Sequence, residues 1–289
     1  MIERKIDTRE LNTSFDGAPN ITISELLTRY SEEVSPKKKS ACVEIYIINK
    51  FISHKLGALP ACELKATDVS LYRDERLSAV KEATVHRELS LLRHCLEVAR
   101  RDWGIPLERN PVAEIRMPSL GKPRKRRVTK NELTALHQSC THPVLWQVIT
   151  IALETAMRRG EIVAMQWDHI DWDNKVLHIP NTKNGHPRTI PLTPSAIEVL
   201  EELPKINSDV IGMTGNAIRL SWERLKKRAG VTDLRFHDLR HEAISRFFEM
   251  GLSVPEVALI SGHRDPRMLF RYTHLKAEEV GKKLRGNLA

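Results

Sequence analysis

The residues best suited to chemistry lie between Phe236 and Tyr272. This stretch opens as Phe236-His237-Asp238-Leu239-Arg240-His241 and closes on Ser261-Gly262-His263-Arg264-Asp265-Pro266 and Phe270-Arg271-Tyr272. His237 and Arg240 are three positions apart, so a helix here projects both from one face toward a common ligand. That ligand is an anion. Two histidines, an arginine and a phenolic hydroxyl suit phosphoryl transfer without a metal, in which catalysis rests on positioning and charge stabilisation.

Such a site needs further cations, and two earlier segments offer them. Met157-Arg158-Arg159-Gly160-Glu161 follows an apolar helix expected from about Val144 to Ala156. Charges beside a buried helix require partners; Glu161 could supply one and a bound phosphate the other. Farther on, Val176-Leu177-His178-Ile179 and Thr189-Ile190-Pro191-Leu192 flank Thr182-Lys183-Asn184-Gly185-His186. Asn-Gly between extended runs signals a hairpin and sets Lys183 at or near its tip. Taken singly, Lys183 reads as an exposed solubilising charge and Tyr272 as a packed or surface aromatic.

The elements that must position these groups are mainly helical. Thr22-x-x-Glu25 is a capping box, a second helix is expected from about Lys38 to Leu56 with Val43, Tyr46, Ile47 and Phe51 buried, and two more start near Thr67 and Thr84. In the fourth, Val85, Leu89, Leu92, Leu96 and Ala99 form one apolar stripe; His86, Arg87, Arg93 and Arg100 lie outside it, on a solvated or a DNA-facing surface. Thr129-x-x-Glu132 caps the first helix of a second domain. Thr193-Pro194 starts another, and helices are expected near Asn216–Ala229 and His237–Met250. Ser253-x-x-Glu256 caps a short helix that Gly262 ends, and Asp265-Pro266 caps a helix that would carry Tyr272 about two turns in.

Charge supports the same division. The chain of 289 residues carries a net charge of +9, which points toward a polyanionic partner. Residues 1–120 hold 19 Lys+Arg against 18 Asp+Glu, so most of the excess lies beyond. Lys122, Arg124, Lys125, Arg126, Arg127 and Lys130 crowd into one acid-free run after Pro111, Pro118 and Gly121. This reads as an interdomain linker over 110–128 that is either merely solvated or tracks a phosphate backbone. The predicted layout is a polar segment 1–20, a helical domain 21–109, the basic linker, and a second domain 129–289.

Cys42, Cys62, Cys95 and Cys140 form no C-x-x-C pair, so no zinc site or disulfide framework is indicated and free thiols in a reducing cytoplasm fit. His137, Cys140 and His142 lack an evident fourth ligand, and no metal is expected. The N-terminus has no apolar signal region and no run is long enough to span a membrane, so a cytoplasmic, nucleoid-associated protein is expected.

Arg158 in R-x-G-E, Lys183 on a hairpin, His237-x-x-Arg240, Gly262-His263 and Tyr272 nine residues later together resemble the tyrosine recombinase, or phage integrase, family. The resemblance runs from about Thr22 to the C-terminus. It implies a mainly α fold with a small β-sheet or hairpin, in which a helical core-binding domain and a catalytic domain close around DNA as a clamp. It further implies that Tyr272 attacks the scissile phosphate to give a 3′-phosphotyrosyl bond, and that Arg158, Arg240 and His263 neutralise the developing charge. Lys183 would protonate the leaving 5′-oxygen, and His237 would assist proton transfer at the tyrosine. Implied partners are double-stranded DNA attachment sites and a homo-tetramer on DNA, with DNA-bending proteins or an excisionase as accessories. No cofactor and no ATP are implied, because a phosphotyrosine link conserves the phosphodiester energy.

Guanidinium forks suit phosphate oxygens and stay charged, whereas an ammonium can be tuned into a general acid. Tyr272 is also the single tyrosine beyond the basic run. Departures from the family pattern are Ala156 where glycine is usual, Glu242 after Arg240-His241, and Met268-Leu269 in place of a threonine pair. They resemble integrases of prophages and genomic islands more than Xer-type resolvases. Residues 1–20 are too short for an arm-binding module, which is therefore lacking or belongs to a longer protein. The tail from His274 either docks on a neighbouring protomer or frays. The alternatives are a type IB topoisomerase-like relaxing activity, a Xer-like resolvase, and a catalytically silent DNA-binding regulator.

Overall fold

The computed structural model describes residues 20–121, 124, 126–181, 185–273 and 281. Its chain divides into two compact units, Met1–Pro123 and Arg124–Ala289. Among the described residues no helix is long and apolar enough to cross a membrane.

In the first unit, the Thr22–Glu25 capping box starts α1 (Ile23–Glu33), which buries Ile23, Leu26, Leu27 and Tyr30. Next come α2 (Ala41–Ile52), α3 (Ala66–Ala79), α4 (Glu82–Arg101) and the short α5 (Pro111–Glu114). The apolar stripe of α4 is buried as its spacing predicts. Two expectations for α2 need correction. It is shorter than 38–56, because Ser53 closes it and His54 caps a separate 3-10 turn. Its buried side carries Ile48 and Phe51, whereas Val43 and Tyr46 are 62% and 77% exposed. The segment is apolar nearly all round, so periodicity cannot choose a phase; packing against its neighbours does. Within the stripe of α4 lies a buried carboxylate, Glu88, which Lys50 (2.8 Å), Arg76 (2.9 Å) and the Tyr72 hydroxyl (2.9 Å) compensate.

The second unit is built around α7 (Pro143–Thr155), which α6 (Lys130–Ser139) precedes. Leu145, Val148, Ile149 and Ala152 of α7 share a core with Trp222, Leu239, Ala243 and Ile244. After the single-turn α8 (Arg159–Val163) come β1 (Ile170–Asp171), β2 (Val176–Ile179) and β3 (Arg188–Pro191), an antiparallel sheet in the order β1-β2-β3. The β2–β3 register pairs Leu177 with Ile190 and His178 with Thr189. The remaining helices are α9 (Pro194–Glu202), α10 (Gly215–Arg228), α11 (Phe236–Glu249) and α12 (Val254–Ser261).

The basic run departs from the expected free linker over 110–128. Arg124 bonds Asp238 (3.0 Å) and Asp233 (2.9 Å), Arg126 bonds Glu132, and Arg127 bonds Glu242 (2.9 Å) and Glu249. Asp238, Glu242 and Glu249 recur at four and seven residues along α11, an acidic stripe that neutralises Arg124 and Arg127. Each of these three arginines is thus paired with a carboxylate. Lys122 and Lys125 lie outside the described residues.

Tyr272 is not two turns into an α-helix. The chain makes two 3-10 turns, Pro266–Met268 and Phe270–Tyr272, with Asp265 capping the first. A period of three eclipses Leu269 and Tyr272, so both are buried while Met268 and Phe270 face outward. The tail beyond Thr273 lies outside the described residues, apart from Gly281.

Candidate active site

Arg158 and Arg240 come together where α7 ends. Ala156 leaves the helix in the left-handed conformation (φ 52°), the backbone that explains why a glycine suits this position, and turns its carbonyl toward α11. Arg240, 3% exposed, donates through Nη1 to that carbonyl and through Nη2 to the Ser261 carbonyl (2.6 Å). Two of its five donors are anchored this way. Burial first, and then the charge of Arg158, push its pKa down to about 9, so it remains a cation at neutral pH.

Arg158 is held by Glu161. The carboxylate accepts from the Arg158 backbone N–H (2.9 Å) and Nη1 (2.8 Å), and from Arg188 Nη1 (3.1 Å) and Nη2 (2.8 Å). Against the cost of burial, the bonds from Arg188 and Arg158 bring its pKa down to about 2. Arg188 also donates to the Ile260 carbonyl (3.0 Å). Arg158 and Arg188 thus share one buried carboxylate while Arg240 bonds carbonyls, and the surplus positive charge makes the place an anion site.

His263 follows Gly262, whose φ of 69° ends α12; a β-carbon there would approach Arg188 to 3.1 Å. Its Nδ1 lies 2.7 Å from Ser261 Oγ. Burial and the charges of Arg240 and Arg158 lower its pKa to about 4, so the ring is neutral. When the serine hydroxyl donates to Nδ1, the ring proton sits on Nε2 and can be donated to an anion. His237 has its pKa lowered by burial and then by Arg240, and its ring stands edge-on to His241 at 4.8 Å.

Tyr272 meets α11 at His241. Its hydroxyl bonds His241 Nδ1 and receives a hydrogen bond from Arg271 Nη2 (2.6 Å), and the guanidinium lies 4.8 Å from the ring centroid. Burial raises the Tyr272 pKa, which the Arg271 bond partly offsets. Burial, His237 and Arg271 lower that of His241 to about 4. Arg271 Nε is buried without a hydrogen-bond partner among the described residues. A separate open cleft beside His237 is lined by Arg159, Arg219 and Arg235. Its one acid, Glu223, is paired with Lys226 (2.9 Å).

Of the residues picked out in the sequence, Arg158, Arg240 and His263 surround the anion site, with His237 one helical turn from Arg240. Lys183 lies outside the described residues, and Arg87 is exposed on α4 of the other unit. The groups that sequence reasoning missed are His241, Arg271 and Arg188. His241 and Arg271 adjoin Arg240 and Tyr272, but the contact at the phenol joins positions 31 apart, which no periodicity reveals.

Over residues 126–279 the chain matches the phage integrase family. It is 39% identical over 276 residues to the shufflon-specific DNA recombinase of Escherichia coli, covering 91% of this chain and 72% of that protein. Among solved structures, the Tn1549 transposon integrase in complex with a circular intermediate DNA aligns with a TM-score of 0.78 at 16% identity, over 93% of this chain and 100% of that one. A lambda integrase tetramer bound to a Holliday junction aligns with a TM-score of 0.73 at 20% identity, over 89% and 82%. At such identities the structural likeness establishes the fold alone.

Proposed function

The chain belongs to the phage integrase family and is a tyrosine site-specific recombinase, and from that premise we propose how its side chains divide the reaction. Tyr272 attacks a DNA phosphorus, its oxygen replaces the 5′-oxygen, and a 3′-phosphotyrosyl link forms. Arg158 and Arg240 bind the non-bridging oxygens, and His263 donates a further hydrogen bond from Nε2. Lys183 protonates the leaving 5′-oxygen. Religation runs the same steps backward with a 5′-hydroxyl as nucleophile, so neither ATP nor a metal enters.

The observation that carries this reading is the fixing of two guanidiniums, by Glu161 and by the carbonyls of Ala156 and Ser261, with positive charge in excess. Charge held in place before the reaction stabilises a developing phosphorane without reorganisation. The cleft of Arg159, Arg219 and Arg235 extends the cationic surface for the flanking strand, the role first expected of the basic run. The working assembly is a tetramer on paired double-stranded sites in the cytoplasm. Its task is to integrate or excise a prophage or genomic island, with DNA-bending proteins or an excisionase as accessories. The Escherichia coli relative favours a second reading, recombination at shufflon-type sites.

The test is a nicked suicide duplex, which should trap covalent protein–DNA with the wild type and none with Tyr272→Phe. Adduct from the phenylalanine variant would remove Tyr272 from the chemistry. Integration between two replicons, measured against recombination within one, separates the two readings.

A further inference from the structure

The histidine expected at the tyrosine was His237, yet the nitrogen that meets the Tyr272 oxygen belongs to His241. From the contacts at that oxygen we propose that His241 and Arg271 form the seat of the nucleophile: His241 accepts the phenolic proton during attack, and Arg271 orients the oxygen and stabilises its developing charge. The inference rests on Tyr272 being the nucleophile.

Hydrogen-bond stereochemistry supports it. A phenol oxygen carries one proton and two lone pairs, and a guanidinium can only donate. Arg271 Nη2, at 2.6 Å, therefore occupies one lone pair. His241 can then take the O–H through Nδ1, provided its own proton is on Nε2. The second lone pair is left for phosphorus. The neutral state of His241 has a structural cause, since the ring is packed against His237 and close to the charge of Arg271. Neutral imidazole is a weak acceptor in this setting, but weakness suits a late transfer. As the O–P bond forms, the phenol oxygen loses electron density and its proton becomes strongly acidic. The arriving phosphodiester, an anion, also raises the proton affinity of the ring.

The step balances. The Tyr272 Oη–P bond forms and its proton passes to His241 Nδ1, the P–O5′ bond breaks, and the leaving oxygen takes a proton from the acid assigned to Lys183. Religation returns the His241 proton to Oη. One helix thereby serves both halves of the site. Arg240 and His241 are consecutive on α11 and point about 100° apart, one toward the phosphate pocket and one toward the phenol. His237, one turn earlier on α11, backs the His241 ring at 4.8 Å and acts on the tyrosine through it.

The test uses the full chain and a pool of nicked duplexes randomised around the nick, made with either oxygen or sulfur as the 5′-bridging atom. A 5′-thiolate leaves without an acid, so sulfur separates nucleophile from leaving-group defects. His241→Gln should slow adduct formation about 10²-fold on both substrates. Arg271→Met should slow it roughly tenfold, with part of the loss recovered by Arg271→Lys. Lys183→Ala should be slow on oxygen alone. Full rescue of His241→Gln by sulfur would move His241 to the leaving group, and an unchanged rate would remove its role; either overturns the proposal. A second measurement needs no DNA. In protein labelled with ¹³Cζ-tyrosine, the Tyr272 resonance, identified by its loss in Tyr272→Phe, should titrate at higher pH in Arg271→Met than in the wild type. An identical titration would mean that Arg271 does not hold the phenol. If the wild type forms no adduct while this shift is present, Tyr272 fails as the nucleophile and the seat itself stands.

Discussion

Replacing Glu161 by glutamine should destabilise the second unit more than any exposed charge change. Glu161 is 5% exposed and, among the described residues, is the one acid bonded to both Arg158 and Arg188. Its pKa falls from 4.5 to about 2, and at 1.36 kcal/mol per tenfold change in proton affinity this corresponds to about 3 kcal/mol of stability at neutral pH. Removing one partner of a buried ion pair typically costs about 3–5 kcal/mol, so two independent routes agree in scale. Because the folded pKa is the depressed one, the stabilisation is complete above the unfolded value near 4.5 and is lost as pH falls toward 2. Urea unfolding at pH 7 should give a midpoint lowered by an amount equivalent to about 3 kcal/mol. The acid limb between those two pH values should flatten in the variant. Inorganic phosphate should restore part of the loss, because the anion supplies the charge that Glu161 no longer provides. A variant as stable as the wild type at pH 7, with the same acid limb, would refute the view that Glu161 holds the arginines together.

Three further outcomes follow from the same geometry. Gly262→Ala places a β-carbon at φ 69° against Arg188, so it should cost about 1–2 kcal/mol in denaturant unfolding and reduce adduct yield by displacing His263. Arg240→Lys keeps the charge but cannot span the Ala156 and Ser261 carbonyls; adduct formation should fall by about 10²-fold or more at near-normal secondary structure by circular dichroism. Arg159→Ala with Arg235→Ala should weaken DNA binding and reduce the slope of log affinity against log salt by about 2, measured by titration at several salt concentrations; an unchanged slope would place the strand elsewhere.

Much of this protein is legible one residue at a time. The capping boxes at Thr22, Thr129 and Ser253, the stripe of α4, the Thr193-Pro194 start of α9 and the pairing of β2 with β3 all formed as their local spacing predicts. The pattern from Arg158 to Tyr272 identifies the family, because its order along the chain is itself the signal. What spacing could not decide involves partners far away. The face of α2 that is buried depends on what packs against it, since the segment is apolar on nearly every side. The basic run reads as free charge until α11 folds beside it, 114 residues from Arg124 to Asp238 and 115 from Arg127 to Glu242.

The active site divides along the same line. Sequence alone determined which chemical groups exist and which of them share a helix turn, because helix periodicity and caps are properties of neighbouring residues. Only the tertiary structure decided that Ala156 turns left-handed and offers its carbonyl to Arg240, 84 positions on, and that the Tyr272 hydroxyl meets His241 and not His237. Those outcomes depend on where helix ends and short turns come to rest in a shared core. Backbone carbonyls freed at such ends look identical in every sequence, and they acquire a partner only when packing brings one within reach.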